Sequence, residues 1–381
     1  MPSPKEANSP SSQLYSSLHE TLTRTLSIRR PILHHLNADS TWLLQIPRPP
    51  LATARGGRIY YNILIDPWLK GGQSDVAKWF SQQWHSYESA VGSIADVEEL
   101  IWGIEEAAGG GRDGERGRRD DGVGDSCIDV VAVCHEFTDH CHRETLEEVG
   151  RDVPVFATKK AADLIRSWNH FRTVYEIPPF IGNGTDWRAT SIPPLPEYIS
   201  ISRIVAQSDA FYYHSALVFT FDTHQKASNL AKAPRRSNGH SLPDPPEADP
   251  ITECVIYTPH GVKPEALLPL QNASPPIKTL CFIHGLHDVS ISWGQQLNLG
   301  VHNGLQAQRR LKSKYWVGTH DEVKKGGGLV GWFLQRKVLT VEQALKEEEA
   351  KLNRVEGEKS VAKVDDARFM DIGNGQSIFL E

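Results

Sequence analysis

The chain has 381 residues, of which 39% are hydrophobic and 23% charged. That is the composition of a folded globular protein, not of a disordered or collagen-like one. A formal net charge of −6 argues against a general nucleic-acid binder, which needs a basic surface to neutralise phosphates. The five cysteines are an odd number without a C-x-x-C pair, so no disulfide framework is expected, and no apolar run is long enough to span a membrane.

Residues 1–12 are too polar to bury a core, and 14–29 can form a helix. Residues 1–30 are therefore assigned to an N-terminal tail. Its Ser, Thr and Arg content resembles a transit peptide, but Glu6 and Glu20 count against one, and a cytoplasmic location is expected. Thr41–Ile46 and Arg58–Ile65 read as two strands of a hairpin, separated by Pro47, Pro49, Pro50 and Gly56-Gly57. Apolar residues at Ile94, Val97, Leu100 and Ile101 predict a helix over 93–107.

A Gly/Arg/Asp tract at 109–124 reads as a surface insertion. The near-continuous apolar run Cys127–Cys134 predicts a strand buried on both faces. A helix over 143–149, a strand over 153–157 and a helix over 159–168 follow. Strands are then expected at 199–205 and 216–221. A second insertion rich in Pro and Ser covers 227–250. Strands at 253–258 and 278–283, a helix at 304–311 and a strand at 315–317 complete a domain over 31–335. Residues 336–381 read as a C-terminal tail with a charged helix at 341–355, whose default is a solvated face laced by local ion pairs.

The most informative segment is Val-Ala-Val-Cys-His-Glu-Phe-Thr-Asp-His-Cys-His over 131–142. A core strand runs straight into metal-ligand side chains. Imidazoles and carboxylates recur after other strands: His214 before Ser-Ala-Leu, His260 after Tyr-Thr-Pro, and His320 after Val-Gly-Thr. Strands of one sheet end along one rim, so such loops can converge. Local alternatives also exist. Asp139 has the chemistry of a helix N-cap, and His142 reads as a helix-face residue. His284 and His287 read as rim-loop residues, because Gly285 breaks the helix a ligand pair would need. Cys134 reads as a small buried residue and Cys141 as a soft ligand or a core thiol.

Together these features resemble the metallo-β-lactamase superfamily, in particular its UlaG-like and phospholipase D-like branch. His135, Asp139 and His140 occupy H-x-H-x-D-H positions, and Leu-Ile-Asp-Pro-Trp-Leu over 64–69 resembles the opening turn. The resemblance implies an αββα sandwich: two mixed sheets facing each other with helices outside. It also implies ligand roles. His135 and His214 would serve the first metal position. Asp139, His140 and His320 would serve the second, with His260 standing where the family has a bridging aspartate.

The chain departs from that pattern twice, at Phe137 and at His260. Phe137 removes an imidazole from the first position and is read as a plug filling it. Stable zinc coordination normally takes at least three protein ligands. His260 removes the anion that would screen two cations about 3.5–4 Å apart. At most one tightly bound zinc or iron is therefore expected. The implied activity is hydrolysis of a small-molecule substrate, with Asp139 and His260 as catalytic candidates and neither nucleic acid nor membrane as partner. The rival expectation is a protein that kept the fold and lost the chemistry, or an interaction scaffold.

Overall fold

The computed structural model describes residues 25–49, 57–75, 79–109, 126–182, 186–205, 213–223, 251–291, 295–327, 329–356 and 367–381, with single positions 23, 53 and 184. Most of both insertions and of the N-terminal tail lies outside these residues. The chain divides into two compact units. The first comprises the described residues up to Gln73, His85–Tyr175 and Gly373–Glu381; the second comprises Ser74–Trp84 and Glu176–Ile372. Each unit is built on a mixed sheet with helices, so the α/β class expected from the sequence is the one observed.

The sheet of the first unit has seven strands in the order Ser377–Phe379, Ile32–His35, Trp42–Pro47, Tyr60–Ile65, Val130–Val133, Val155–Ala157 and Val174–Glu176. The first four pair antiparallel. Tyr60–Ile65, Val130–Val133 and Val155–Ala157 run parallel, with Ile65 opposite Ala132. Val130–Val133 is buried throughout, as its apolar run predicts. Leu43, Leu64, Val131, Val133 and Val155 form one core with Val97, Ile101, Ala161, Ala162 and Ile165 of the helices Ile94–Gly109 and Lys159–Ser167. Because neighbouring strands are parallel, their carboxyl ends share one edge, which is where α/β sheets gather functional loops.

The second unit's six-stranded sheet runs Phe369–Met370, Tyr315–Val317, Ile277–His284, Ile251–Thr258, Ser215–Thr223 and Ile199–Val205. Its first four strands are parallel and its last three antiparallel. The helix Gly300–Leu311 packs Val301, Leu305 and Leu311 against Ile256, Phe282 and Trp316.

Segments beyond residue 335 also join the sheets. Phe369–Met370 and Ser377–Phe379 are edge strands of the two sheets, too short for an apolar period to reveal them. Nor is the helix Val341–Glu356 solvated all round: Ala344 is buried in the second unit's core, and Glu347 and Glu348 pair with His302 and Arg309. Among the described residues, no helix is long and apolar enough to cross a membrane.

A polar pocket inside the first sheet makes the fold sensitive to acid. His34 is buried between Ser377 Oγ (2.6 Å) and Gln45 Oε1 (2.8 Å), and burial pushes its pKa down to about 4. The folded chain therefore holds a neutral ring. As pH falls below about 6.5, the unfolded chain takes up this proton first. The penalty grows until the pH passes the folded value of about 4. Over that window the site should cost about 3 kcal/mol of stability. Thermal melts at pH 7 and pH 4.5 check this. The wild type should lose more melting temperature than His34→Gln, and equal losses would contradict it.

Candidate metal centre

In the first unit the chemistry is organised by Asp66, which follows strand Tyr60–Ile65. Asp66 is fully buried, and its φ of +45° lies in the left-handed region that Asp tolerates better than most residues. The main chain is pinned from both sides: Asp66 N–H donates to Ala132 O (3.0 Å), and Thr41 Oγ1 donates to Asp66 O (2.9 Å). Its carboxylate points across to the neighbouring parallel strand. Oδ1 accepts the N–H of Cys134 (2.8 Å), and Oδ2 accepts the Cys134 thiol (2.7 Å) and bonds His140 Nδ1 (2.8 Å).

The bond between Asp66 and His140 decides the tautomer. A carboxylate accepts only, so Nδ1 carries the proton and the lone pair sits on Nε2. This carboxylate–imidazole pairing is the one that orients metal-binding histidines. Asp139 Oδ1 lies 3.7 Å from His140 Nε2. Two ligands 2.0–2.1 Å from a tetrahedral zinc would be about 3.3 Å apart, so the pair suits a shared ion. The loop is further fixed by Ser40 Oγ donating to Asp139 O (2.6 Å) and by His140 N–H donating to Phe137 O (2.9 Å).

His135 is turned to other partners. Its ring stacks on Phe137 with centroids 4.1 Å apart, and its Nδ1 faces Glu136 (3.2 Å) and accepts from Phe137 N–H (3.3 Å). Its centroid is 6.3 Å from that of His140. Phe137 therefore packs on the ring of the first motif histidine, where the family pattern implies a second imidazole.

His142 is the N-cap of the short helix Arg143–Leu146, not a residue on its face. Its backbone is extended, and Nδ1 accepts from Thr145 N–H (3.3 Å) and Thr145 Oγ1 (2.9 Å). The cap falls to His142 instead of Asp139 because Asp139 lies three residues before it, in the turn. Burial lowers the pKa of His142, which keeps the ring an acceptor. Cys141 is buried and its thiol is pushed well above the ordinary range by that burial, which makes it a poor source of thiolate.

In the second unit His214, His260 and His320 lie beside strand ends. His214 is buried immediately before strand Ser215–Thr223. His260 sits in the turn after Ile251–Thr258. Its Nδ1 is 2.9 Å from Asn298 Oδ1, and Leu299 N–H donates to its carbonyl (3.1 Å). With Asn298 accepting, the lone pair of His260 is again on Nε2. Gly261 permits this turn: its φ is +90°, and a Cβ there would lie 2.8 Å from Leu299 Cβ.

His320, at φ +59°, follows strand Tyr315–Val317. Its turn is seated by Asp321, whose carboxylate accepts the N–H groups of Leu286 (2.8 Å) and His287 (2.8 Å). A Cβ on Gly285 would lie 2.5 Å from Thr319 O, so that approach requires glycine. The rings of His260 and His320 meet edge to face at 5.1 Å, and Tyr213 lies 6.5 Å from His260. His284 is not a rim residue. It ends its strand buried, with Nε2 2.9 Å from Asn303 Oδ1, and burial lowers its pKa.

Asp66, Cys134 and His140 have ligand-type atoms within 4.8 Å of one another, so the first unit contains a group that could hold a metal ion. Sequence reading took the Asp-Pro-Trp turn as a landmark of the fold and missed Asp66 as the residue that orients His140. Asn298 and Asp321 carried no signal, because an Asn in a strand and an Asp in a loop are ordinary.

No family model matches the chain, and no curated protein matches it in sequence. Solved structures that resemble it are metallo-hydrolase and metallo-β-lactamase-fold proteins. A possible metal-dependent hydrolase from Veillonella parvula DSM 2008 is 11% identical, with a TM-score of 0.47 over 92% of this chain and 100% of its own. An isothiocyanate hydrolase from Delia radicum gut bacteria is 14% identical, with a TM-score of 0.46 over 92% and 100%. A metallo-β-lactamase-fold protein from Bacillus subtilis is 9% identical, with a TM-score of 0.39 over 91% and 99%.

The capping role of His142 has a direct consequence. His142→Ala removes the cap and should destabilise the chain by about 1–2 kcal/mol in urea unfolding. Glu144 and Thr145 should not compensate, since neither precedes the helix. An unchanged midpoint would show that the cap contributes nothing.

Proposed function

We propose that the chain is a mononuclear metal-dependent hydrolase acting on a small molecule. The ligand set is the one implied by the order of the motifs along the sequence: Asp139, His140 and His320, with His260 as a further ligand or an acid–base group. The observation that supports it most is the bond from Asp66 to His140 Nδ1. A fully buried carboxylate is costly unless its partners need it. Here it fixes the tautomer that ligation through Nε2 requires.

Zinc or iron bound to such a set would lower the pKa of a bound water and polarise the scissile bond. The chain's own residues would do the rest. Asp66 and Asn298 hold the two imidazoles in one tautomer, and Ser40 holds the backbone of Asp139. Asp139 would orient the attacking water or ligate, and His260 would ligate or move a proton. The sequence pattern leaves only His135 and His214 for a first position, and Phe137 stacks on His135. None of the five cysteines is in a disulfide, which is compatible with a cytoplasmic location.

The same stacking favours a second reading, a protein that keeps the fold without the chemistry. Metal content separates the two. Elemental analysis of protein purified without added metal should give one zinc or iron per chain; no tightly held metal would favour the second reading, and two would contradict a mononuclear centre. Asp139→Ala and His140→Ala should each abolish binding. Asp66→Asn should weaken metal affinity by about 10–100-fold in chelator competition. Retained affinity would mean that Asp66 serves the fold alone.

The two departures from the family pattern can also be reversed. Phe137→His together with His260→Asp restores an imidazole and a bridging carboxylate. Zinc titration of the folded double variant should saturate towards two ions per chain. Saturation at the wild-type stoichiometry would show that these positions do not serve a common site.

A further inference from the structure

One segment of the second unit is unlike the rest of this acidic chain. Residues 324–337 read Lys-Lys-Gly-Gly-Gly-Leu-Val-Gly-Trp-Phe-Leu-Gln-Arg-Lys, an apolar tip between two basic pairs. No Asp or Glu occurs from Val323 to Val341, although the chain as a whole carries a net −6.

The tip is held at both ends. Strand Lys325–Gly327 pairs antiparallel with Gln82–Trp84, and strand Leu334–Lys337 pairs with Asp288–Ile291. Between them Leu329–Trp332 forms a 3₁₀ turn, and Leu329 N–H donates to Trp79 O (3.3 Å). Leu329 and Trp332 of this turn are exposed. Trp332 is 87% exposed, Trp79 68% and Leu329 52%. Trp84, Val323, Phe333 and Val338, within or next to the same paired segments, are also exposed.

Leaving several large apolar side chains in water is costly, and such a cluster marks an interaction surface. Its composition selects the partner. Protein interfaces are enriched in Trp but depleted of Lys. Trp flanked by Lys and Arg, by contrast, is the arrangement found at the water–lipid boundary, where the ring sits at headgroup level. Lys324 and Lys325 supply positive charge complementary to anionic headgroups, while Lys337 lies 3.5 Å from Glu347 and Arg336 donates to Glu322 O.

We propose that this tip inserts into the surface of an anionic lipid bilayer and that the protein is a peripheral membrane binder. A loop of this length reaches only into the interfacial layer. The lack of a spanning run in the sequence therefore has no bearing on it, and the expectation of no membrane partner is revised. The inference does not depend on metal chemistry.

Co-sedimentation of the full chain with vesicles tests it, using phosphatidylcholine alone and phosphatidylcholine with phosphatidylserine. The wild type should pellet with the anionic vesicles. Trp79→Ala/Trp332→Ala and Lys324→Glu/Lys325→Glu should each lower the partition coefficient by roughly tenfold or more. Trp79, Trp332 and Lys325 are exposed and Lys324 is half-buried; thermal melts should show that both variants stay folded. Absence of wild-type binding to anionic vesicles would overturn the proposal, as would binding that both variants retain. So would concentration-dependent dimerisation without lipid, lost in Trp79→Ala/Trp332→Ala, if it accompanied no vesicle binding; the tip would then be a contact between copies.

Discussion

The organisation of the first unit's candidate centre rests on one buried carboxylate. Asp66 joins two parallel strands at their carboxyl ends, accepting from the backbone and thiol of Cys134 and bonding the ring of His140. A carboxylate removed from water loses several kcal/mol of solvation unless hydrogen bonds replace it. Here they do, and the replacement has a directional result. The imidazole is held in one tautomer and one orientation before any ion arrives. The rest of the loop is built to keep that arrangement. Thr41 and Asn37 tie down the Asp-Pro-Trp turn through Asp66 O and Trp68 O, and Ser40 ties down Asp139.

The second unit seats its imidazoles with a side-chain amide, a carboxylate and close backbone approaches. His260 is seated by Asn298 and by a Gly261 turn that only a residue without Cβ can make against Leu299. His320 is seated by Asp321 capping two N–H groups and by Gly285 letting Thr319 O come close. In each unit a ligand-type imidazole stands in a short loop just beyond a sheet strand, fixed by a neighbouring side chain. Groups held in this way lose little entropy on binding an ion, which is how preorganised sites gain affinity.

Much of this was legible in the sequence. Long apolar runs gave the central strands at 130–133, 251–258 and 277–284, because strands buried on both faces need no alternation. Periodic Ile94, Val97 and Ile101 gave the first long helix. The short strands Asp288–Ile291, Leu334–Lys337 and Phe369–Met370 were illegible, since two to four residues hold no period and their existence depends on a partner far away in the chain. The His135–His142 loop stood out by its ligand-type residues, yet the cap at His142 and the clamp at Asp66 did not show. Both roles are set by where a side chain points, and spacing along a chain does not encode that.

His140, held by Asp66, is proposed to ligate through Nε2. Anomalous diffraction at the zinc edge from crystals of the zinc-loaded protein tests it most directly. The prediction is one peak about 2.0–2.1 Å from His140 Nε2, with Nδ1 still on Asp66 and Asp139 within ligand distance. A peak held by Asp66, Cys134 and His140 Nδ1 would contradict it, as would ordered crystals with no peak at His140.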